Sequence, residues 1–535
     1  MKRYALNAIA AITVLLAGCG GGHSGGTLPP TTVSSPKPAS HAAVQFTMHW
    51  PSKTTTSARK PKYISPATQS VIIQINPTAS PSPGPVTFAN ISQATGNPPT
   101  STLDINAPVG SDDFVIQLYD AQQTAGETAP NGNLVGQTEV TQTITAGQLN
   151  TINATIDGVA YGVSIAPVAN QPTAETTASG FDIVGAAPVT FQVNALDADG
   201  NVIVPPGNLP ATTLTPYGSG VSVNAVSGSS NQYTVQVTAP ASKTSFPSVY
   251  ATATDTYGDT ANSIINITPV SAIYVGYGSG GVALYNSLGN ALALPSGAFS
   301  GVQNAVAMAY DYDDNYVLVA DAGQGKLLAF DSLGNAVSGF TAPSVSGING
   351  VTYDSNNKTI YVTSTSGISS YTTAGAAGSA SASVANAAAI AYVASDSSNN
   401  PLTELAVGIG GGTPTMGIYS EAAAQTSRFS LSGAPTSVAY VPYYTGVTRQ
   451  LYDVRSGNID GYDTNGFSNV TFADSNGPFG IAADQNTMDM YVTEQTTNTI
   501  VPYLPNLSGV DTNVTSITTP SSSGKTNPTG ITVAY

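Results

Sequence analysis

Pro478-Phe479-Gly480-Ile481-Ala482-Ala483-Asp484, Met490-Tyr491-Val492-Thr493-Glu494 and Ile500-Val501-Pro502-Tyr503 follow one another in the stretch that decides the fold. A strand of small apolar residues runs into a turn, a strand of aromatic and valine follows, and a third short strand ends in an aromatic. The same order recurs at intervals of about 44 residues through the last half of the chain. Earlier copies pair Ile273-Tyr274-Val275 with Ala283-Leu284-Tyr285, Val317-Leu318-Val319 with Leu328-Ala329-Phe330, and Ile360-Tyr361-Val362 with Ser369-Ser370-Tyr371. Two more pair Leu405-Ala406-Val407 with Gly417-Ile418-Tyr419 and Tyr452-Asp453-Val454 with Asp460-Gly461-Tyr462. Small-residue strands such as Ala307-Met308-Ala309-Tyr310, Gly350-Val351-Thr352-Tyr353, Ala389-Ile390-Ala391-Tyr392 and Ser437-Val438-Ala439-Tyr440 precede every copy except the first. The last of them, Gly530-Ile531-Thr532-Val533-Ala534, stands at the C-terminal end of the sequence.

The array therefore opens on the second strand of a unit and finishes on the first strand of one, so its two ends are expected to complete one sheet together. A ring of such sheets leaves only short, protected edges, and small residues suit the inner strands around a narrow axis. The period and the offset predict a β-propeller of six blades over residues 271–535. Segments 311–315, 354–357, 395–400 and 484–487 hold Asp, Asn or Ser at the same place in successive copies, as tight turns require.

Tyr361-Val362-Thr363-Ser364 and Tyr491-Val492-Thr493-Glu494 resemble the YVTN strand, and Pro478-Phe479-Gly480-Ile481-Ala482-Ala483-Asp484 resembles the NHL strand. The resemblance to NHL and YVTN repeats covers about half the chain and implies the propeller fold. It leaves function open, since propellers of these families include adhesins, sensors, lyases and lactonases.

Upstream, residues 159–270 alternate apolar and polar residues in short runs, with Val189-Thr190-Phe191-Gln192-Val193-Asn194-Ala195 running into the turn Asp197-Ala198-Asp199-Gly200. Val249-Tyr250-Ala251-Thr252-Ala253-Thr254-Asp255 resembles the penultimate strand of bacterial Ig-like repeats. Asp197 and Asp199 fit a hairpin turn better than a calcium site. Residues 43–158 show the same alternation, which predicts a β-sandwich with Trp50 as a core residue. Residues 20–42 are rich in Gly, Ser, Thr and Pro, a composition that predicts a disordered tether. Residues 1–19 have Lys2 and Arg3, a short apolar run and Leu16-Ala17-Gly18-Cys19. A basic start, a short apolar core and small residues before a cleavage point predict a secretory signal. The last four residues resemble the lipobox of bacterial lipoproteins, which implies a diacylglyceryl group on Cys19. Cys19 is the sole cysteine, so no disulfide forms within the chain.

Acidic residues number 30 against 14 basic, and loss of the leader with Lys2 and Arg3 moves the formal net charge from −16 to −18. Nucleic acid demands a basic footprint, so it is excluded as a partner. The three histidines, His23, His41 and His49, all precede the repeats, which removes His-based acid catalysis and His-rich metal sites from the propeller. Asn304, Gly347, Asn386, Ala434, Gly477 and Asn527, just ahead of the small-residue strands, are expected to ring the hub, with Asn349 and Thr436 close by. None is a carboxylate, and amide oxygens alone hold calcium weakly, so no metal and no cofactor are expected. Asn304, Asn349, Asn386 and Asn527 are therefore candidate ligand contacts. Tyr277, Asp321, Arg455 and Glu494, on the loops after the valine strands, are candidates on the same face. Tyr285, Phe330 and Tyr371 are expected to pack between blades.

The sequence thus predicts an all-β protein in which two β-sandwich (Ig-like) domains precede a six-bladed β-propeller closed by pairing of its first and last strands. The expected function is a non-catalytic binding platform for a protein or polysaccharide ligand, held at the cell or outer membrane by the N-terminal lipid. The alternative is a lyase or lactonase with a calcium ion at the hub.

Overall fold

The computed structural model describes residues 40–534 apart from 50–63, 77–83, 92–99, 125–128, 186, 206, 238–246, 396–400, 442–450, 464–467, 485–488, 505–515 and 519–524. The signal, most of the tether, Cys19 and Trp50 lie outside the described residues. Every regular element among the described residues is a β-strand, so the chain is all-β.

The first sheets are a three-stranded one, in the order Thr100–Pro108, His41–His49, Asn150–Ile152, and a five-stranded one, in the order Val86–Asn90, Ser70–Ile75, Gly110–Tyr119, Leu134–Ile144, Asp157–Gly158. Their apolar faces share one core, in which the Phe46 and Phe114 rings meet edge to face at 5.7 Å. The next pair consists of a four-stranded sheet around Val189–Leu196 and a five-stranded sheet around Thr260–Val270. Val189, Phe191, Val193 and Ala195 are buried while the residues between them are half-exposed, so the sequence alternation becomes one face in and one face out. Asp197 closes the following hairpin, its Oδ1 accepting the backbone N–H of Asp199 at 3.0 Å and of Asn201 at 2.8 Å.

Six further antiparallel sheets follow. The first is ordered Ala291–Leu292, Val282–Asn286, Ala272–Tyr277, Pro528–Ala534, and the second Ala305–Asp311, Tyr316–Asp321, Lys326–Asp331. The third runs through Ile348–Asp354, Thr359–Ser364, Gly367–Thr372 and Ala377–Ser383, and the fourth through Ala387–Ser395, Pro401–Ile409, Thr415–Ser420 and Gln425–Ser430. The fifth is Pro435–Tyr440, Leu451–Arg455, Asn458–Tyr462 and Ser468–Ala473, and the sixth Pro478–Ala483, Met490–Glu494, Thr499–Tyr503 and Ile517–Thr518. The C-terminal strand thus pairs antiparallel with Ala272–Tyr277, in the register Ile531 with Val275 and Val533 with Ile273. Each inner strand lies against the inner strand of the next sheet, and Pro528–Ala534 lies against both Pro478–Ala483 and Ala305–Asp311.

Packing between sheets explains the strand compositions. In Tyr316–Asp321, Val317 and Val319 enter the core shared with the first sheet while Leu318 and Ala320 enter the core shared with the third. A strand covered on both faces reads as a continuous apolar run. The outer strand Gln425–Ser430 is mostly exposed and polar. Close approach of inner strands selects small residues: a Cβ on Gly480 would stand 2.0 Å from the Thr529 carbonyl oxygen. The Thr493 hydroxyl accepts the Gly480 N–H at 2.8 Å and donates to that same Thr529 carbonyl at 3.1 Å, tying two inner strands together.

One part of the repeat alignment is corrected. Asp453, and not Val454, occupies the place of Val275, Val319, Val362, Val407 and Val492, because Asp453 pairs with Val438 as those valines pair with Ile531, Met308, Val351, Ile390 and Ile481.

Candidate functional site

The inner strands surround a cavity of about 250 Å³. Aliphatic residues from six strands, among them Val351, Ile390 and Ile481, line its interior. Towards the ends of the inner strands the lining includes five tyrosines, of which Tyr310, Tyr353 and Tyr440 are buried in the cores between sheets and Tyr312 and Tyr392 are half-buried. At the opposite end the axis narrows to a space of about 30 Å³ walled by Gly350, Ala389, Ser437, Gly530, Asn349 and Thr436 among others.

The tyrosines are held by the turns that follow the inner strands. Asp311 Oδ1 accepts the N–H groups of Asp313 and Asp314, and Asp354 Oδ1 that of Asn356, which organises those hairpin turns. Tyr353 donates its hydroxyl to Asp313 Oδ2 at 2.6 Å, Tyr312 to the Val533 carbonyl at 2.8 Å and Tyr310 to Asn315 Oδ1 at 3.3 Å. Tyr392 accepts Asn356 Nδ2 at 2.8 Å. Burial holds the Tyr310, Tyr353 and Tyr392 phenols well above their ordinary value, with the Asp313 bond adding to the effect at Tyr353, so all three stay neutral hydroxyls. Lys358 meets Asp313 at 3.5 Å beside this rim.

The residues singled out from sequence fall elsewhere. Asn386 and Asn527 are exposed with φ of 58° and 57°, while Gly347 and Gly477 hold 67° and 72° at the equivalent positions. Their carbonyls accept N–H bonds from Gly410, Gly278, Thr365 and Gln495, and the Asn304 carbonyl likewise accepts Ala322 N–H. Asparagine and glycine stand there because they tolerate left-handed backbone. Asn349 does line the narrow end, where its Nδ2 donates to the Ala387 carbonyl at 3.0 Å, and Thr436 beside it donates to the Phe479 carbonyl at 2.8 Å.

Tyr277, Asp321, Arg455 and Glu494 are corrected from loop residues to the last residues of second strands, three of them buried. The Tyr277 hydroxyl lies 3.0 Å from that of Tyr285. Asp321 accepts the N–H groups of Gln303, Asn304 and Gly323, each at 2.9 Å. Glu494 accepts the Thr497 and Thr499 hydroxyls, and the Arg455 guanidinium is bound to Asp460. These side chains organise loops from within. Tyr285 and Phe330 are buried as expected, and Tyr371 packs half-buried against the core between the second and third sheets.

Among the described residues no three His, Cys, Asp or Glu side chains group as metal ligands, and no helix is long and apolar enough to cross a membrane. Sequence reasoning missed these tyrosines, although part of their signal was visible: tyrosine ends the quoted small-residue segment in four copies, Tyr310, Tyr353, Tyr392 and Tyr440.

Neither a protein-family model nor a curated protein matches the chain. Among solved structures the chain is similar to one in a nidogen/laminin complex, with a TM-score of 0.39 and 14% identity over 50% of this chain and 98% of that one. It is similar also to hydrazine synthase of Kuenenia stuttgartiensis, with a TM-score of 0.31 and 12% identity over 42% of this chain and 70% of that one. A third is a protein of unknown function from Bacteroides caccae, with a TM-score of 0.30 and 13% identity over 38% of this chain and 72% of that one.

Proposed function

We propose that the protein is a lipid-anchored envelope component whose six C-terminal sheets form a closed β-propeller acting as a non-catalytic binding platform. Two Ig-like sandwiches hold the propeller away from the membrane, and the ligand is an extracellular polysaccharide. Closure is supported by the pairing of Pro528–Ala534 with Ala272–Tyr277 and by the succession of inner strands. Anchoring at Cys19 rests on the sequence Leu16-Ala17-Gly18-Cys19.

The observation that carries the binding reading is the pair of half-buried tyrosines, Tyr312 and Tyr392, at the mouth of the central cavity. Tyrosine rings present flat apolar faces to the C–H faces of sugars, and their neutral hydroxyls exchange hydrogen bonds with sugar hydroxyls. The charges beside these tyrosines are mostly acidic, Asp311, Asp313, Asp354 and Glu421 against Lys358, which suits a polymer without negative charge. The test is calorimetric titration of a lipid-free chain of residues 43–535 with polysaccharide purified from the cell's own envelope. Tyr312→Ala combined with Tyr392→Ala should weaken binding at least about tenfold, roughly 1.4 kcal/mol, while cooperative unfolding is retained. Equal affinity in the double variant would exclude this mouth as the binding face. Capture of an envelope protein in place of glycan would replace the ligand, and turnover of a lactone would replace the non-catalytic reading.

A further inference from the structure

The fifth sheet departs from its five counterparts at one pair of positions. Where the others place valine in the second strand, this sheet has Asp453, and directly opposite on the third strand stands Asp460. The corresponding third-strand residues are Ala283, Leu328, Ser369, Gly417 and Val501. Leu451 and Tyr462, which flank the pair on the same face, pack with Ala406, Met416 and Ile418 of the fourth sheet, so both carboxylates point into the core between the fourth and fifth sheets. Asp453 is 0% exposed and Asp460 1%.

Their surroundings supply too little positive charge and too few donors. Arg455 Nε reaches Asp460 Oδ2 at 2.7 Å, its second nitrogen binds the same oxygen, and the Tyr462 hydroxyl lies 3.3 Å from it. Both oxygens of Asp453 and Oδ1 of Asp460 are buried without a hydrogen-bond partner. Two ionised carboxylates and one guanidinium leave a buried negative charge, which is costly in a poorly solvated interior. One proton removes that charge, and a carboxylic O–H on one aspartate gives the unsatisfied oxygen of the other a donor. A calcium ion would need roughly 6–8 oxygens, more than two carboxyl groups offer.

We propose that Asp453 and Asp460 together hold one proton between the fourth and fifth sheets, and that this proton makes the C-terminal assembly a pH-sensitive structure, tight in mild acid and loosened above neutrality. Burial, and after it the Asp460 charge, push the Asp453 carboxyl up to about 7, against smaller opposing effects of Tyr462 and Arg455. The ionisable groups on the packed elements are Tyr440 on the inner strand, Glu404, Tyr419 and Arg428 on the described strands of the fourth sheet, and Tyr392 on that sheet's inner strand. Glu404 is also raised by burial, with the Thr426 hydroxyl opposing, so it titrates in the same direction.

The sign follows from linkage. The folded carboxyl binds its proton more tightly than the unfolded one, at about 3.9, so the stabilisation is complete below about pH 4 and is lost as pH rises through about 7. The test is thermal unfolding of the full chain between about pH 5 and pH 8, with Asp453→Val, Asp453→Asn and Glu404→Gln. Asp453→Val restores the residue of the other five sheets, and it should melt above the parent at the alkaline end with a smaller loss between the two pH values. Asp453→Asn should lose the same part of the slope, and Glu404→Gln should keep it. Calorimetry of the parent near pH 6 in buffers of different ionisation enthalpy should show release of about one proton on unfolding that Asp453→Asn lacks. Slopes unchanged in both Asp453 variants, or no proton release from the parent, would overturn the proposal. So would millimolar calcium chloride raising the parent's melting temperature at alkaline pH while leaving the Asp453 variants unmoved, because the pair would then hold a metal cation.

Discussion

Single residues in this protein act mostly through backbone geometry. Asn386 and Asn527 serve a left-handed φ, and Asp321 gathers the backbone N–H groups of Gln303, Asn304, Gly323 and Gln324. The polar residues that looked most available for a ligand are thus spent on turns, because a protein with so few charges builds its loops from the same Asn and Asp that a binding site would use. Gly480 is the sharpest case of a position fixed by space. A methyl group there would meet backbone, the Thr529 carbonyl at 2.0 Å, and backbone cannot rotate away as a side chain does. Gly480→Ala should therefore destabilise the C-terminal sheets by about 1–3 kcal/mol, the usual cost of overpacking. Denaturant unfolding would register this as a lower midpoint at unchanged slope, and an unaltered midpoint would show that the inner strands stand further apart than described.

Elements owe their character to how many faces are covered. Inner and second strands lie between two neighbouring sheets and are mostly apolar and buried, whereas the outer strand Gln425–Ser430 is polar on most positions. Apolar runs and period made the six copies readable from sequence. The register of the fifth copy was not, since Tyr452-Asp453-Val454 contains a valine on either reading and a slip of one residue turns every side chain to the other face. The C-terminal strand carries the most weight for its length. Pro528–Ala534 pairs with Ala272–Tyr277 on one side of the chain order and touches the inner strands of the second and sixth sheets, and all seven of its residues are buried. Deleting residues 530–535 would uncover a few hundred Å² of apolar surface, worth several kcal/mol at about 25 cal/mol per Å². That is comparable with the whole stability of a domain, about 5–15 kcal/mol. The truncated chain should lose the cooperative unfolding transition of its C-terminal half and aggregate, as light scattering would report. Unfolding at the parental temperature would show that the terminal strand does not close the array.

For the whole molecule, the proposed attachment depends on Cys19 alone, since no other cysteine is present to carry lipid. One acyl chain holds a protein to a bilayer only marginally, and two or more hold it stably. Cys19→Ser should move the mature protein from the membrane to the soluble fraction without changing its melting temperature, as fractionation and immunoblotting would show. A variant that is processed yet stays with the membrane would point to attachment by the folded part. By itself the sequence determined that the chain is all-β, that its last half is an array of six alike units, and that the terminal strand belongs with the first of them. Those properties follow from period, alternation and turn chemistry, which act over a few residues. Only the tertiary structure decided which groups meet. It brought Tyr312 and Tyr392 half-buried to one rim, and it buried Tyr277, Asp321 and Glu494. It also set Asp453 against Asp460 in an apolar core. These contacts depend on register across strands and on packing between sheets, and a local sequence pattern carries neither.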